Sequence, residues 1–143
     1  MEIKIKYHDE EMEKVAIIKN GDFIDLRSQK DVKLIKGEFG LIPLGVSIKL
    51  PEGYFAMLVP RSSTFKNYGI IQTNSVGIID ESYAHDDDIW MMPVYATRDT
   101  WISKNDRICQ FGIFKKEKDL NLVEVDHLDT EEARGGFGST GIQ

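Results

Sequence analysis

From Asp31 to Tyr54 the chain reads DVKLIKGEFGLIPLGVSIKLPEGY. Short apolar runs alternate there with Gly37, Gly40, Pro43, Gly45 and the turn Pro51-Glu52-Gly53. Glycine and proline are the poorest helix residues, so breakers at this density favour brief strands joined by tight turns. The pattern predicts a β-sandwich or β-barrel and excludes a helical bundle.

The flanking sequence extends that expectation. Ile3, Ile5 and Tyr7 alternate with Lys4 and Lys6, the pattern of a half-buried strand. HDEEMEK (8–14) is a polar connection, and the apolar run Val15 to Ile18 is closed by the turn pair Asn20-Gly21. Phe55 to Val59 is an apolar strand that stops at Pro60. Ser75 to Trp90 reads as a strand, a tight return and a second strand, with Asp80 and Tyr83 near the tip of the β-arm. Ile89 to Tyr95 reads as a strand buried on both faces or lying at a subunit contact. Asn105-Asp106 reads as a hairpin turn with Arg107 to Phe114 returning from it, and LNLVEVDHL (120–128) has strand character.

At 143 residues the chain makes one domain, large enough to bury a core. Its 18 Lys and Arg against 24 Asp and Glu leave a net charge of −6, a poor match for a nucleic-acid polymer. A small polyphosphate remains open to it if a few cations converge. The single cysteine, Cys109, excludes a disulfide framework and a cysteine-rich zinc site, which fits a reducing cytoplasm. Charges recur every few residues through MEIKIKYHDEEMEK, so that stretch is neither a signal peptide nor a membrane span. His8, His85 and His127 lack metal-ligand spacing, and Asp86-Asp87-Asp88 is a solvated turn before it is a metal cage.

Four places carry polar groups suited to chemistry. Asp25 lies between Ile24 and Leu26 and faces away from both; a solvated strand carboxylate is the plainer reading. In PRSSTFKNYGI the hydroxyls of Ser62, Ser63 and Thr64 can cap a short helix ending near Gly69, with Arg61 and Lys66 beside it as partners for an anion. Gln110 alternates with Cys109 and Phe111 and so faces the other side of its strand, while Cys109 reads as a small packed residue. The tail DTEEARGGFGSTGIQ has four glycines between 135 and 141. Composition alone reads it as disordered, yet such a loop with Arg134, Ser139 and Thr140 can also wrap a phosphate.

In chain order, DFIDL, PRSSTFK, NSVGIIDESY, DRICQF and RGGFGSTG resemble the five motifs of the homotrimeric dUTP diphosphatase family. The layout is most similar to members from Gram-positive bacteria and their phages. The resemblance implies a mainly β, jelly-roll-like (β-clip) fold with one short helix. It implies a homotrimer with active sites at the subunit interfaces, and residues 130–143 as a mobile C-terminal arm closing over a neighbour's site. The implied activity is Mg²⁺-dependent hydrolysis of dUTP to dUMP and pyrophosphate, which lowers dUTP and supplies dUMP for thymidylate synthesis.

Carried over position by position, Asp80 resembles the carboxylate that activates the attacking water. Tyr83 resembles the ring that packs on the deoxyribose. The arm from Asn74 through Gly77 to Ile79 would read the uracil edge. Arg61, Ser62, Ser63 and Gln110 resemble the phosphate-binding side chains. Asp25 resembles a carboxylate near the hydrated metal, which in the family is held by the phosphates with no direct protein ligand. Arg134, Phe137, Gly138, Ser139 and Thr140 would form the lid over base and γ-phosphate. Departures from the pattern are Asp22-Phe23 before motif 1, Ser63 for a common glycine, His85 for glycine, Cys109 for alanine, and the spacing of Arg134 to Phe137. Two rivals remain: a dCTP deaminase-related enzyme, which lacks the Asp80–Tyr83 arm, and a phage-type regulator that binds a protein partner.

Overall fold

The computed structural model describes residues 1–136. Among them are eleven strands and one helix: β1 (Lys4–Tyr7), β2 (Ile24–Arg27), β3 (Val32–Leu34), β4 (Phe39–Pro43), β5 (Val46–Lys49), β6 (Tyr54–Pro60), α1 (Thr64–Tyr68), β7 (Ile70–Gln72), β8 (Gly77–Ile79), β9 (Met91–Ala96), β10 (Thr100–Ile102) and β11 (Arg107–Lys115). The breakers fall where the sequence puts them. Gly37, Gly45 and Gly53 take positive φ between the short strands, a backbone that an L side chain resists.

Every pairing is antiparallel. The main sheet has the order β2-β11-β6-β8; a second has β4-β9-β7, and two pairs, β1-β5 and β10-β3, complete the molecule. Leu26, Ile42, Leu44, Leu58, Met92, Ile108 and Phe111 fill the space between them, with Trp90 edge-on to Phe111 at 5.1 Å between ring centres. Burying these side chains is the main favourable term for a domain this size.

Four expectations are corrected. Asn105 does turn the chain at φ 73, but no hairpin follows: β10 pairs with β3, and β11 lies between β2 and β6. Adjacent strands in sequence have been drawn to different sheets by their apolar faces. Residues 120–128 form no strand; Leu120, Leu122 and Leu128 are exposed, because no described strand offers them an edge to pair with. For the run Ile89 to Tyr95 the doubly buried alternative gives way to one buried face, with Met92 and Val94 inside and Met91 and Tyr95 outside, while the alternative of a subunit contact stands untouched. The segment from Ser75 to Trp90 has one strand, β8, which pairs back onto β6; a turn-rich loop replaces the expected second strand.

Candidate active site

Strand β6 ends at Pro60 and the chain turns at once into α1. Thr64 makes the corner. Its buried hydroxyl accepts the Arg61 backbone N–H at 2.8 Å and donates to the Ile108 carbonyl at 2.8 Å. Arg61 is thereby held over β11 and β2, where its Nε donates to Asp25 Oδ1 at 3.1 Å. Arg107 Nη1 reaches the other carboxylate oxygen, Oδ2, at 3.4 Å. The register explains the meeting, since Gln110 opposes Asp25 on β2 and Val59 on β6. Gln110 Nε2 donates to the Pro60 carbonyl at 3.2 Å, which aims the amide along the same edge.

Asp25 is therefore not the solvated strand carboxylate that its alternation suggests; its side chain is 17% exposed and bridges two guanidinium groups. The cap expectation also changes. Ser63 is the N-cap of α1 but makes no side-chain cap bond, so its hydroxyl stays available to a ligand. Ser62 beside it is exposed. Two arginines, a carboxylate, an amide and these hydroxyls form a cluster that suits a polyphosphate.

The second constellation lies on the arm. Asn74, Ile79, Asp80 and Tyr83, together with Leu41, Trp90 and Met91, line an open cleft of about 560 Å³. Asp80 follows β8 directly. Its Oδ1 accepts the Ser82 N–H at 2.8 Å, its carbonyl accepts the Tyr83 N–H at 3.0 Å, and Lys116 Nζ stands 3.9 Å from Oδ1. The Ser82 N–H, the Ser82 hydroxyl and the Lys116 charge hold the Asp80 carboxyl below its usual range, so it stays ionised in mildly acidic solution. Glu81 pins the loop from behind. It accepts the Gly53 N–H at 2.8 Å and meets Lys116 at 3.3 Å. Tyr83 donates its hydroxyl to the Ile89 carbonyl at 3.0 Å, which fixes the ring as a wall of the cleft. An ionised, tethered carboxylate beside an aromatic wall can orient and deprotonate a water against a ligand bound there.

The two constellations sit at opposite ends of β6. Ile79 opposes Ala56, so Asp80 lies near the level of Phe55, whereas Arg61 follows Pro60. Six residues of strand at about 3.3 Å each put them about 20 Å apart. A base acts within hydrogen-bond reach, about 3 Å or one water further. Within one chain, a phosphate held by Arg61 would lie beyond the reach of the Asp80 carboxylate.

Of the sequence candidates, Asp25, Arg61, Ser62, Ser63 and Gln110 come together at one end of β6 and Ile79, Asp80 and Tyr83 at the other, with Gly77 and Asn74 between them beside Leu58. Arg134 is exposed, and among the described residues no hydrogen bond or ion pair ties it to either group. Phe137, Gly138, Ser139 and Thr140 lie outside the described residues. Sequence reasoning missed Thr64 as the strut under Arg61, Arg107 on Asp25, and Lys116 beside Asp80. Thr64 reaches the Arg61 N–H three residues away, a local spacing, but its bond to Ile108 and the placing of Arg107 and Lys116 come only with strand register. Cys109 is fully buried, and burial pushes its thiol well up, so it is packing and no nucleophile. No group of three or more His, Cys, Asp or Glu among the described residues forms a metal site.

These features, small antiparallel sheets carrying an arginine cluster and an aspartate-bearing cleft, define a jelly-roll-like domain built to handle a phosphorylated ligand. The dUTPase family model matches residues 23–141, and the chain belongs to the dUTPase family. A prophage-derived deoxyuridine 5′-triphosphate nucleotidohydrolase, YosS of Bacillus subtilis, is 58% identical over 143 residues and covers 100% of both chains. The deoxyuridine 5′-triphosphate nucleotidohydrolase of Neorickettsia sennetsu is 38% identical over 128 residues, covering 87% of this chain and 85% of its own. Among solved structures, a point mutant of the dUTPase of phage 80alpha, from work on its SaPI-inducing capacity, superposes with a TM-score of 0.81 at 20% identity, covering 96% of this chain and 98% of its own. A point mutant of the dUTPase of phage phi11 of S. aureus, whose structure describes coordination of a structural Mg(II) ion, gives 0.78 at 16% identity, covering 91% of this chain and 100% of its own.

Proposed function

We propose that the chain hydrolyses dUTP to dUMP and pyrophosphate at a site shared between copies of itself. The observation that carries the shared site is the separation of about 20 Å between Asp80 and Arg61 along β6. One copy supplies the cleft for the deoxyuridine and the carboxylate that takes the proton from water. Another supplies Arg61, Ser62, Ser63 and Gln110 for the phosphates. The hydroxide attacks the α-phosphorus, the bond to the bridging oxygen breaks, and pyrophosphate leaves as dUMP forms. Arg61 stabilises the charge that gathers on the phosphate oxygens.

The sheet β4-β9-β7 supports association, in the form of a homotrimer. Its outer face presents Phe39, Leu41, Ile71, Met91 and Tyr95, an apolar surface adjoining the cleft and larger than scattered exposed residues explain. Residues 130–143 of a further copy, through Arg134, Phe137, Gly138, Ser139 and Thr140, close over the site. A reducing cytoplasm suits the single, buried Cys109 and is the compartment we propose. Among the described residues no helix is long and apolar enough to cross a membrane.

The residues fit Mg²⁺ brought by the substrate. Asp25 is already bridged by two arginines, which suits it to bonding a metal's water better than to direct ligation. When bound, the ion neutralises phosphate charge and polarises the phosphorus–oxygen bonds.

Pyrophosphate release from dUTP, dTTP, dCTP and UTP, with and without Mg²⁺, tests the reading. Release from dUTP alone, dependent on Mg²⁺, is expected; equal rates on dTTP or UTP would refute it. Ammonia released from dCTP would instead favour the deaminase rival. The similarity to phage dUTPases, one linked to SaPI induction, favours a second role in binding a regulatory protein. Binding of a phage repressor that persists in an Asp80→Asn variant would support that role.

A further inference from the structure

We infer that Gln72 is a positioning residue for base selection, which locks the Asn74 amide so that its NH₂ group faces the cleft. The inference rests on reading that cleft as the deoxyuridine site.

Gln72 is the last residue of β7 and is 3% exposed. One of its amide atoms lies 2.9 Å from the Leu58 carbonyl on β6. A carbonyl oxygen only accepts, so that atom is the nitrogen, Nε2. The same nitrogen lies 2.9 Å from the near end of the Asn74 amide. Its second proton points there, so the near end of Asn74 must be the acceptor, Oδ1. The Asn74 NH₂ is therefore turned away from Gln72, towards Gly77, where a side chain's Cβ would sit 3.4 Å from Nδ2. Asn74 is exposed and lines the same cleft as Asp80 and Tyr83. The orientation of the exposed amide is thus decided by a buried one.

The chemistry of this donor discriminates between pyrimidines. Uracil carries a carbonyl acceptor at C4, where cytosine carries an amino donor. An NH₂ aimed into the cleft bonds the first and opposes the second. A free asparagine could turn either end inward and serve both bases; one whose oxygen is held by Gln72 cannot.

What the amide adds is its two donated bonds, to the Leu58 carbonyl and to Asn74 Oδ1, neither of which a leucine or methionine of similar bulk could make. One of them ends on a cleft residue.

Gln72→Leu and Gln72→Met remove the relay while keeping bulk. Each is measured for kcat and KM on dUTP and dCTP, and for Tm, with and without Asn74→Ala. The expected result is a rise of about tenfold in KM for dUTP and a similar narrowing of the dUTP-over-dCTP preference, with kcat within about twofold and Tm unchanged or higher. In the Asn74→Ala background either change should move KM by less than about twofold, because the residue acts through Asn74. Wild-type KM and preference in the Gln72 variants overturn the inference. So does an equal KM rise in the Asn74→Ala background, or a rise in only one of the two variants, which marks a packing defect. A wild-type protein that shows no preference for dUTP sinks the underlying reading and the inference together.

Discussion

Asp80 and Asp25 look alike in sequence, each a carboxylate beside isoleucine, yet they do different work. Asp80 is open to solvent and held ionised by Ser82 and Lys116. Asp25 is covered and spent on two arginines. Asp80→Asn should leave the fold intact and lower turnover by about 10²–10⁴, measured as pyrophosphate release per site. Lys116→Met removes a cation that favours the ionised form, so the Asp80 carboxyl should titrate higher. The acid limb of the kcat/KM profile should move to higher pH, with the plateau above it preserved. An acid limb that stays put would separate Lys116 from the base. Asp80 stands out in sequence as a candidate because the residues around it are contiguous. The partners of Asp25 do not, since Arg61 and Arg107 lie 36 and 82 positions away and meet it only through register.

Among the elements, β6 does the organising. It pairs with β11 on one side and β8 on the other, and delivers Arg61 at its end. The corner after it depends on Thr64, whose hydroxyl serves two backbone groups. Thr64→Val keeps the shape and strands both, so it should cost about 1–3 kcal/mol in denaturant unfolding and raise KM for dUTP through a displaced Arg61. Helix α1 closes on Gly69 at φ 63 with Arg98 packed against it. Gly69→Ala should destabilise by about 1–2 kcal/mol from the left-handed backbone, before any displacement of Arg98 is counted. Short strands and their glycine turns could be read from spacing alone, because breakers act locally. Strand partners could not, which is why the 105–106 turn passes for a hairpin and residues 120–128 pass for a strand.

At the scale of the whole molecule, the proposed reading gives one chain two half-sites, about 20 Å apart along β6. Asp80→Asn and Arg61→Ala should each be inactive alone, and mixing them after denaturation and refolding should recover part of the wild-type rate. No recovery would show that each chain completes its own site. Tyr95→Glu, on the outer face of β9, should leave a folded monomer in sedimentation and lose activity with it.

The distance along β6 also has a bearing on dosage. On the proposed shared site an isolated copy would turn nothing over, and output at low expression would climb faster than copy number, as mass action requires of an assembly. Specific activity should fall on dilution once subunits part. A cell that synthesises the chain sparingly would then carry almost none of its chemistry, and one that doubles its supply would gain more than twofold.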